Sequence, residues 1–151
     1  MRNSVGRIMP IDAATLDEQI FRYLVVEPAT LDANIANYRA QSGILPFEGL
    51  TLINSDQELL PAAADRWEVS EDKLKWTFYL REGARWSDGR PVSAHDFEYT
   101  YKSGLDPKNG NVYAFMNYPI KGAKAFNVSE VADPRTVLIT ALDDLTLVIE
   151  T

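Results

Sequence analysis

The segment Leu74–Leu80 (LKWTFYL) accepts one backbone shape. Leu74, Trp76, Phe78 and Leu80 fall on one side of an extended chain, and Lys75, Thr77 and Tyr79 on the other. Period two, with aromatic and β-branched residues, marks a half-buried antiparallel strand. Such a strand needs partners and something to cover its apolar face. The rest of the chain must supply both.

Partners are close in sequence. Arg66–Val69 reads as a short extended segment, joined to the first strand by a turn that carries Glu71-Asp72. Gly49–Asn54 (GLTLIN) reads as a further strand, ended by Ser55-Asp56-Gln57. Leu59–Ala64 contains Pro61 and reads as loop. Thr136–Ala141 and Leu145–Thr151 read as a hairpin around the polar corner Asp143-Asp144. Ser87-Asp88-Gly89 supplies a turn with glycine where φ can be positive.

The cover is a helix starting at Ser93. Ser93 and Asp96 have capping-box spacing, with Asp in place of the usual Glu or Gln. Phe97, Tyr101 and Leu105 form a stripe at i, i+4, i+8. Gly104 is the expected C-cap, and Asp106-Pro107 ends the helix. Short helical turns are expected within Val112–Phe126, around Pro119.

Earlier in the chain, Ile20–Val26 (IFRYLVV) reads as a strand stopped by Pro28. Its near-continuous hydrophobicity suits burial on both faces. Residues 1–18 read as leader or linker, with a short helix at Asp12–Gln19. Asn34–Gly49 is undecided between helix and loop, with Pro46 bounding any helix. The fold class is therefore α+β, rich in strand, with one well-marked helix.

Composition removes several functions. The net charge of −7, without a Lys/Arg run, argues against nucleic acid as a partner. With no cysteine, disulfides, thiolate metal sites and a Cys nucleophile are excluded. His95 is the single histidine, so a multi-histidine metal site within one chain is excluded too. No apolar run is long enough to span a bilayer, and Met1–Met9 lacks a signal-type apolar core. No phosphate loop or dinucleotide fingerprint is present. No cofactor is expected.

Several motifs in series carry a resemblance. They are Glu27–Asp32 (EPATLD), Phe47–Leu50 (FEGL), Leu60-Pro61, Ala64–Ser70 (ADRWEVS) and Trp76–Gly89 (WTFYLREGARWSDG). Pro91-Val92, Ala94, Asp96-Phe97, Tyr99, Leu105–Pro107, Tyr113-Ala114, Ile120–Ala123 and Leu142–Leu147 continue it. In this order and spacing the chain resembles the oligopeptide/dipeptide-binding family of extracytoplasmic solute-binding proteins, the capture subunits of ABC importers. The resemblance implies a two-lobed periplasmic-binding-protein-like clamp with an extra inserted domain. Residues 19–46 would give a strand and ligand-side loop of the first lobe. Residues 47–151 would give the extra small domain, and the second lobe and hinge would lie beyond Thr151. It also implies a peptide ligand, membrane permease subunits as partners, and a location in the periplasm or lipid-anchored outside the cytoplasmic membrane.

The resemblance assigns the family's ligand tyrosine to Tyr113, set against a packing residue at a helix start. The family's ligand-lining loop falls at Asn34–Arg39, which points to Asn37 and Tyr38. Trp76, Phe78 and Trp86 suggest a sugar-stacking platform, but two of them share the apolar strand face and read as core. His95 with Ser93 or Asp96 makes no catalytic set, because adjacent residues at a helix start diverge and no oxyanion site accompanies them. Glu71-Asp72 and Asp143-Asp144 read as solvated turn carboxylates. The chain is expected not to be an enzyme. Two rival readings remain: a peptide-signal receptor and a standalone interaction or carbohydrate-binding module. Because Ile20–Val26 would normally lie inside a larger sheet, the chain is also expected to form a homodimer, exchange a segment, or pack that strand differently.

Overall fold

A computed structural model of the chain describes residues 47–151 and six isolated positions between Ile8 and Glu18. The expected strand Ile20–Val26, the loop Asn34–Arg39 with Asn37 and Tyr38, and most of the undecided stretch before Gly49 lie outside the described residues. Within the expected short helix at Asp12–Gln19, Thr15 and Glu18 form a turn. Glu18 N–H donates to the Thr15 carbonyl at 2.9 Å, and the Thr15 hydroxyl donates to Glu18 Oε2 at 2.7 Å.

Six strands and two α-helices make up the described part. They are β1 (Thr51–Ile53), β2 (Leu59–Pro61), β3 (Ala64–Val69), β4 (Lys75–Leu80), α1 (Ala94–Leu105), α2 (Ala123–Asn127), β5 (Ile139–Ala141) and β6 (Thr146–Glu150). β1 and β2 form a two-stranded antiparallel ribbon. The main sheet is antiparallel in the order β3-β4-β6-β5. Register places Phe78 opposite Leu147, and Leu147 opposite Ala141; in the next row Trp76, Ile149 and Ile139 align. One face thus collects the apolar side chains, and α1 lies across it with Leu105 fully buried. Full burial of a leucine contributes about 1.5–3 kcal/mol.

Three expectations need correction. Leu59–Pro61 is a strand, not loop: Thr51 pairs with Pro61 and Ile53 with Leu59. Pro61 fits because it ends the strand in a ribbon of only two, where a missing donor breaks no central ladder. Gly104 is not the C-cap. It lies buried in the last turn of α1, and Asp106 takes the cap position with extended backbone. Leu74 is 53% exposed because it precedes the strand and overhangs the core. The other expected elements that fall among the described residues 47–151 are present, though β5 begins at Ile139, after a 3-10 turn at Pro134–Thr136.

The loops between elements are held by specific bonds. Arg81 clamps Glu48 through two nitrogens, at 3.1 and 2.6 Å, and donates to the Ala62 carbonyl at 2.9 Å. That ties the 47–50 stretch to the end of β4. Asp72 and Asp143 accept backbone N–H groups inside their own turns, from Leu74 at 3.1 Å and Leu145 at 2.8 Å.

The two edges of the main sheet are treated differently. Ala141 N–H on the β5 edge donates to Glu98 Oε2 of α1 at 2.8 Å, while Glu98 Oε1 takes Lys102 Nζ at 2.6 Å. Burial raises the Glu98 pKa, but the Ala141 N–H and the Lys102 charge outweigh it and the net shift is downward.

Two predictions follow from these contacts. A native pKa below the unfolded one gives stability that is present above the ordinary glutamate range and lost as pH falls through the native value. Glu98→Gln is expected to flatten the stability–pH curve in that acid window, and Glu98→Ala to cost about 1–3 kcal/mol in urea unfolding at neutral pH. The second concerns Gly122, which has φ +82° and would place a Cβ 2.0 Å from the Thr136 carbonyl oxygen. Gly122→Ala is expected to destabilise by more than about 3 kcal/mol, since backbone must move. Gly83→Ala, with φ +76° but open space around it, is expected to cost only about 1 kcal/mol.

Candidate functional site

A helix leaves its last carbonyls without intrahelical donors. At the end of α1 three asparagine side chains supply them. Asn109 Nδ2 donates to the Ser103 carbonyl at 2.8 Å, Asn111 Nδ2 to Gly104 at 3.0 Å, and Asn127 Nδ2 to Leu105 at 2.8 Å. The same asparagines use their oxygens on the segment that follows. Asn111 Oδ1 accepts the Tyr113 N–H at 3.0 Å, and Asn127 Oδ1 accepts the Tyr118 hydroxyl at 2.7 Å. The stretch from Asp106 to Asn127 is thereby pinned to the helix end.

This pinning displays Tyr113. Its backbone caps a 3-10 turn at Ala114–Asn117, anchored by buried Ala114. Tyr113 is 36% exposed, and its ring lies 6.4 Å from that of Phe115, tilted by 49°. Val112, Phe115 and Met116 are more exposed still, Met116 at 68%. Four large apolar side chains thus stand in solvent on a short rigid turn. Beside them opens a cleft of about 230 Å³, walled by Met116, Trp76, Phe78, Tyr101, Ile120 and Ile149. Burial pushes the Tyr101 phenol above its ordinary pKa, so it stays neutral across the physiological range. The ridge and cleft suit contact with an apolar or peptide-like surface.

A wider groove of about 420 Å³ lies on the outer face of the sheet, between Arg66, Tyr79, Glu82 and Thr146. The Arg66 guanidinium sits 3.5 Å over the Tyr79 ring and also pairs with Glu68 at 2.6 Å, which accounts for its charge locally.

The other residues singled out in the sequence have structural roles. Trp76 and Phe78 pack against the core. Trp86 Nε1 donates to Asp96 Oδ2 at 3.3 Å, and the same oxygen accepts the Ser93 N–H at 2.8 Å within the capping box. Asp96 is therefore engaged at the helix start. His95 points elsewhere, with Nε2 3.7 Å from Asp144 and both side chains well exposed. Among the described residues, no group of three or more His, Cys, Asp or Glu side chains could hold a metal ion. Val112, Phe115, Met116 and the three asparagines were missed in the sequence. The run VYAFM flanked by Asn111 and Asn117 was the available signal, five mostly apolar residues too short for a core element.

The arrangement of sheet, covering helix and pinned loop is that of periplasmic binding proteins of the oligopeptide-binding type. The Escherichia coli murein tripeptide binding protein MppA matches with a TM-score of 0.77 and 36% identity, over 84% of this chain and 25% of that one. Haemophilus influenzae OppA, in complex with the peptide RPPGFSPFR, matches with a TM-score of 0.73 and 30% identity, over 82% and 25%. In sequence, the oligopeptide-binding protein OppA of Bacillus subtilis is 42% identical over 126 residues, 82% of this chain and 23% of that protein. Residues 58–151 match the family described as bacterial extracellular solute-binding proteins, family 5 Middle, and the chain belongs to that family. It spans about a quarter of the length of these relatives.

If the turn displays Tyr113 rather than packing it, Tyr113→Ala should change stability by less than about 0.5 kcal/mol. Asn111→Ala should cost about 1–3 kcal/mol by orphaning the Gly104 carbonyl and the Tyr113 N–H, with faster amide exchange at Tyr113. A large stability loss in Tyr113→Ala would return that residue to a packing role.

Proposed function

We propose that this chain is part of the substrate-capturing component of an ABC importer for peptides, working outside the cytoplasmic membrane in the periplasm or under a lipid anchor. Residues 47–151 then form the extra small domain, and residues 19–46 contribute a strand and the ligand-side loop of the first lobe, with Asn37 and Tyr38 near the peptide. Tyr113 contacts the ligand: its ring packs on a side chain and its hydroxyl pairs with a peptide group. The observation that carries this reading is the exposed aromatic turn, held on a rigid scaffold, in a family whose relatives are named as peptide binders. Main-chain hydrogen bonds would supply affinity, and loose, wet side-chain pockets would keep specificity broad. Lobe closure would report the loaded state to the permease. The carbohydrate-module alternative is weakened because Trp76 and Phe78 pack against the core.

Calorimetry with mixed short peptides tests the proposal. The 151-residue chain is expected to bind none at micromolar affinity or tighter, since it cannot enclose a ligand alone. A full-length protein of the relatives' size should bind them, with Tyr113→Ala weakening affinity about tenfold, or about 1.4 kcal/mol. Unchanged affinity in that variant would remove Tyr113 from the site. Tight binding by the short chain would place a complete site within it and overturn the clamp reading.

A further inference from the structure

The ladder of the main sheet determines which backbone groups of β3 face outward. Ser70 N–H donates to the Lys75 carbonyl at 2.9 Å, so Ser70 and Lys75 form a hydrogen-bonded pair. In an antiparallel ladder such pairs alternate. Glu68 opposite Thr77 and Arg66 opposite Tyr79 are therefore bonded, while Trp67 opposite Phe78 and Val69 opposite Trp76 are not. The N–H and C=O groups of Trp67 and Val69 consequently point away from β4, along the open edge. Glu98 closes the β5 edge at Ala141, and the stretch at Gly49-Leu50 accepts Ala63 and Ala64 N–H groups at 3.0 and 2.9 Å, covering the start of β3. Nothing comparable covers Trp67 and Val69 among the described residues, and Val69 is 40% exposed.

The charges along this edge are self-complementary. Arg66 and Glu68 flank Trp67 on the outer face and are both largely exposed. In a two-fold antiparallel pairing centred on Trp67, Arg66 of one copy stands opposite Glu68 of the other, and the reverse holds across the axis. Non-hydrogen-bonded positions bring Cα atoms to about 4.5 Å, the closer of the two spacings, so the four charges form an alternating square. Centring the pair on Glu68 instead would oppose two carboxylates. We infer that β3 is a docking edge for a second copy of this chain, joining two four-stranded sheets into one through a pairing centred on Trp67. The inference uses described residues alone and does not depend on peptide binding.

Sedimentation equilibrium and disulfide trapping test it on the 151-residue chain. Wild type should self-associate. Glu68→Arg or Arg66→Glu alone should weaken association at least about tenfold, and the double exchange should restore it, because it inverts every cross-strand pair without breaking any. Circular dichroism checks that each variant keeps its fold. Trp67→Cys introduces the sole cysteine of the chain. Across the axis the two Cα atoms would be about 5.5 Å apart, within disulfide reach, so oxidation should yield a covalent dimer. Val69→Cys places its pair about 13 Å apart and should not. A wild type that stays monomeric at millimolar concentration overturns the inference. So does a double exchange as weak as the single ones, or equal trapping at positions 67 and 69.

Discussion

The end of α1 governs the candidate site. Three consecutive carbonyls there, of Ser103, Gly104 and Leu105, each accept an asparagine side chain, from two different places in the chain, and Ser103 also takes the Asp106 N–H at 3.1 Å. Each asparagine can both donate and accept, so Asn111 and Asn127 also hold the following segment with their remaining oxygens. Without this double use, the stretch from Asp106 to Asn127 would have little reason to stay in one conformation, because its regular structure is limited to two short 3-10 turns and the five-residue α2. With it, four apolar side chains can be kept in solvent on a defined turn. The exposure of Val112, Tyr113, Phe115 and Met116 is costly for a free chain, and it suits a surface that acts by meeting something else.

The rest of the domain serves as a rigid base for that turn. β4 is central: it pairs with β3 on one side and β6 on the other, and contributes Trp76, Phe78 and Leu80 to the core. Glu98 joins helix to sheet by filling an edge position that no strand occupies. Gly122 lets the chain pass against the Thr136 carbonyl at a distance that no side chain tolerates, bringing α2 and its Asn127 under the helix end. A surface held this way carries a small ordering cost into any association.

Much of the fold was legible in residue pattern. The alternation in Leu74–Leu80, the capping pair Ser93 and Asp96 and the stripe Phe97, Tyr101 and Leu105 each specify local geometry with a known period. The turns at Ser87–Gly89 and Asp143-Asp144 were legible because their side chains bond their own backbone. The strand Leu59–Pro61 was not, since proline argues against strands and only the position at a ribbon's end removes the objection. The role of Gly104 was misread for a related reason. Glycine near a helix end suggests a cap, yet here the carbonyls are satisfied by side chains from beyond the helix, so a left-handed cap is not required.

Sequence alone therefore determined the α+β class, the main strands, the helix and its start, and, through motifs in series, the family. These depend on neighbours a few residues apart, where period and capping chemistry decide the outcome. Tertiary structure alone decided that Asn109, Asn111 and Asn127 converge on one helix end, that Tyr113 stands within an exposed apolar turn, and that among the described residues one sheet edge is closed while the other is open. Those facts depend on which distant groups meet. Asn127 and Leu105 are 22 residues apart, and Glu98 and Ala141 are 43. No local pattern encodes such pairings, because the unsatisfied carbonyl or edge amide exists only once the chain has folded around it.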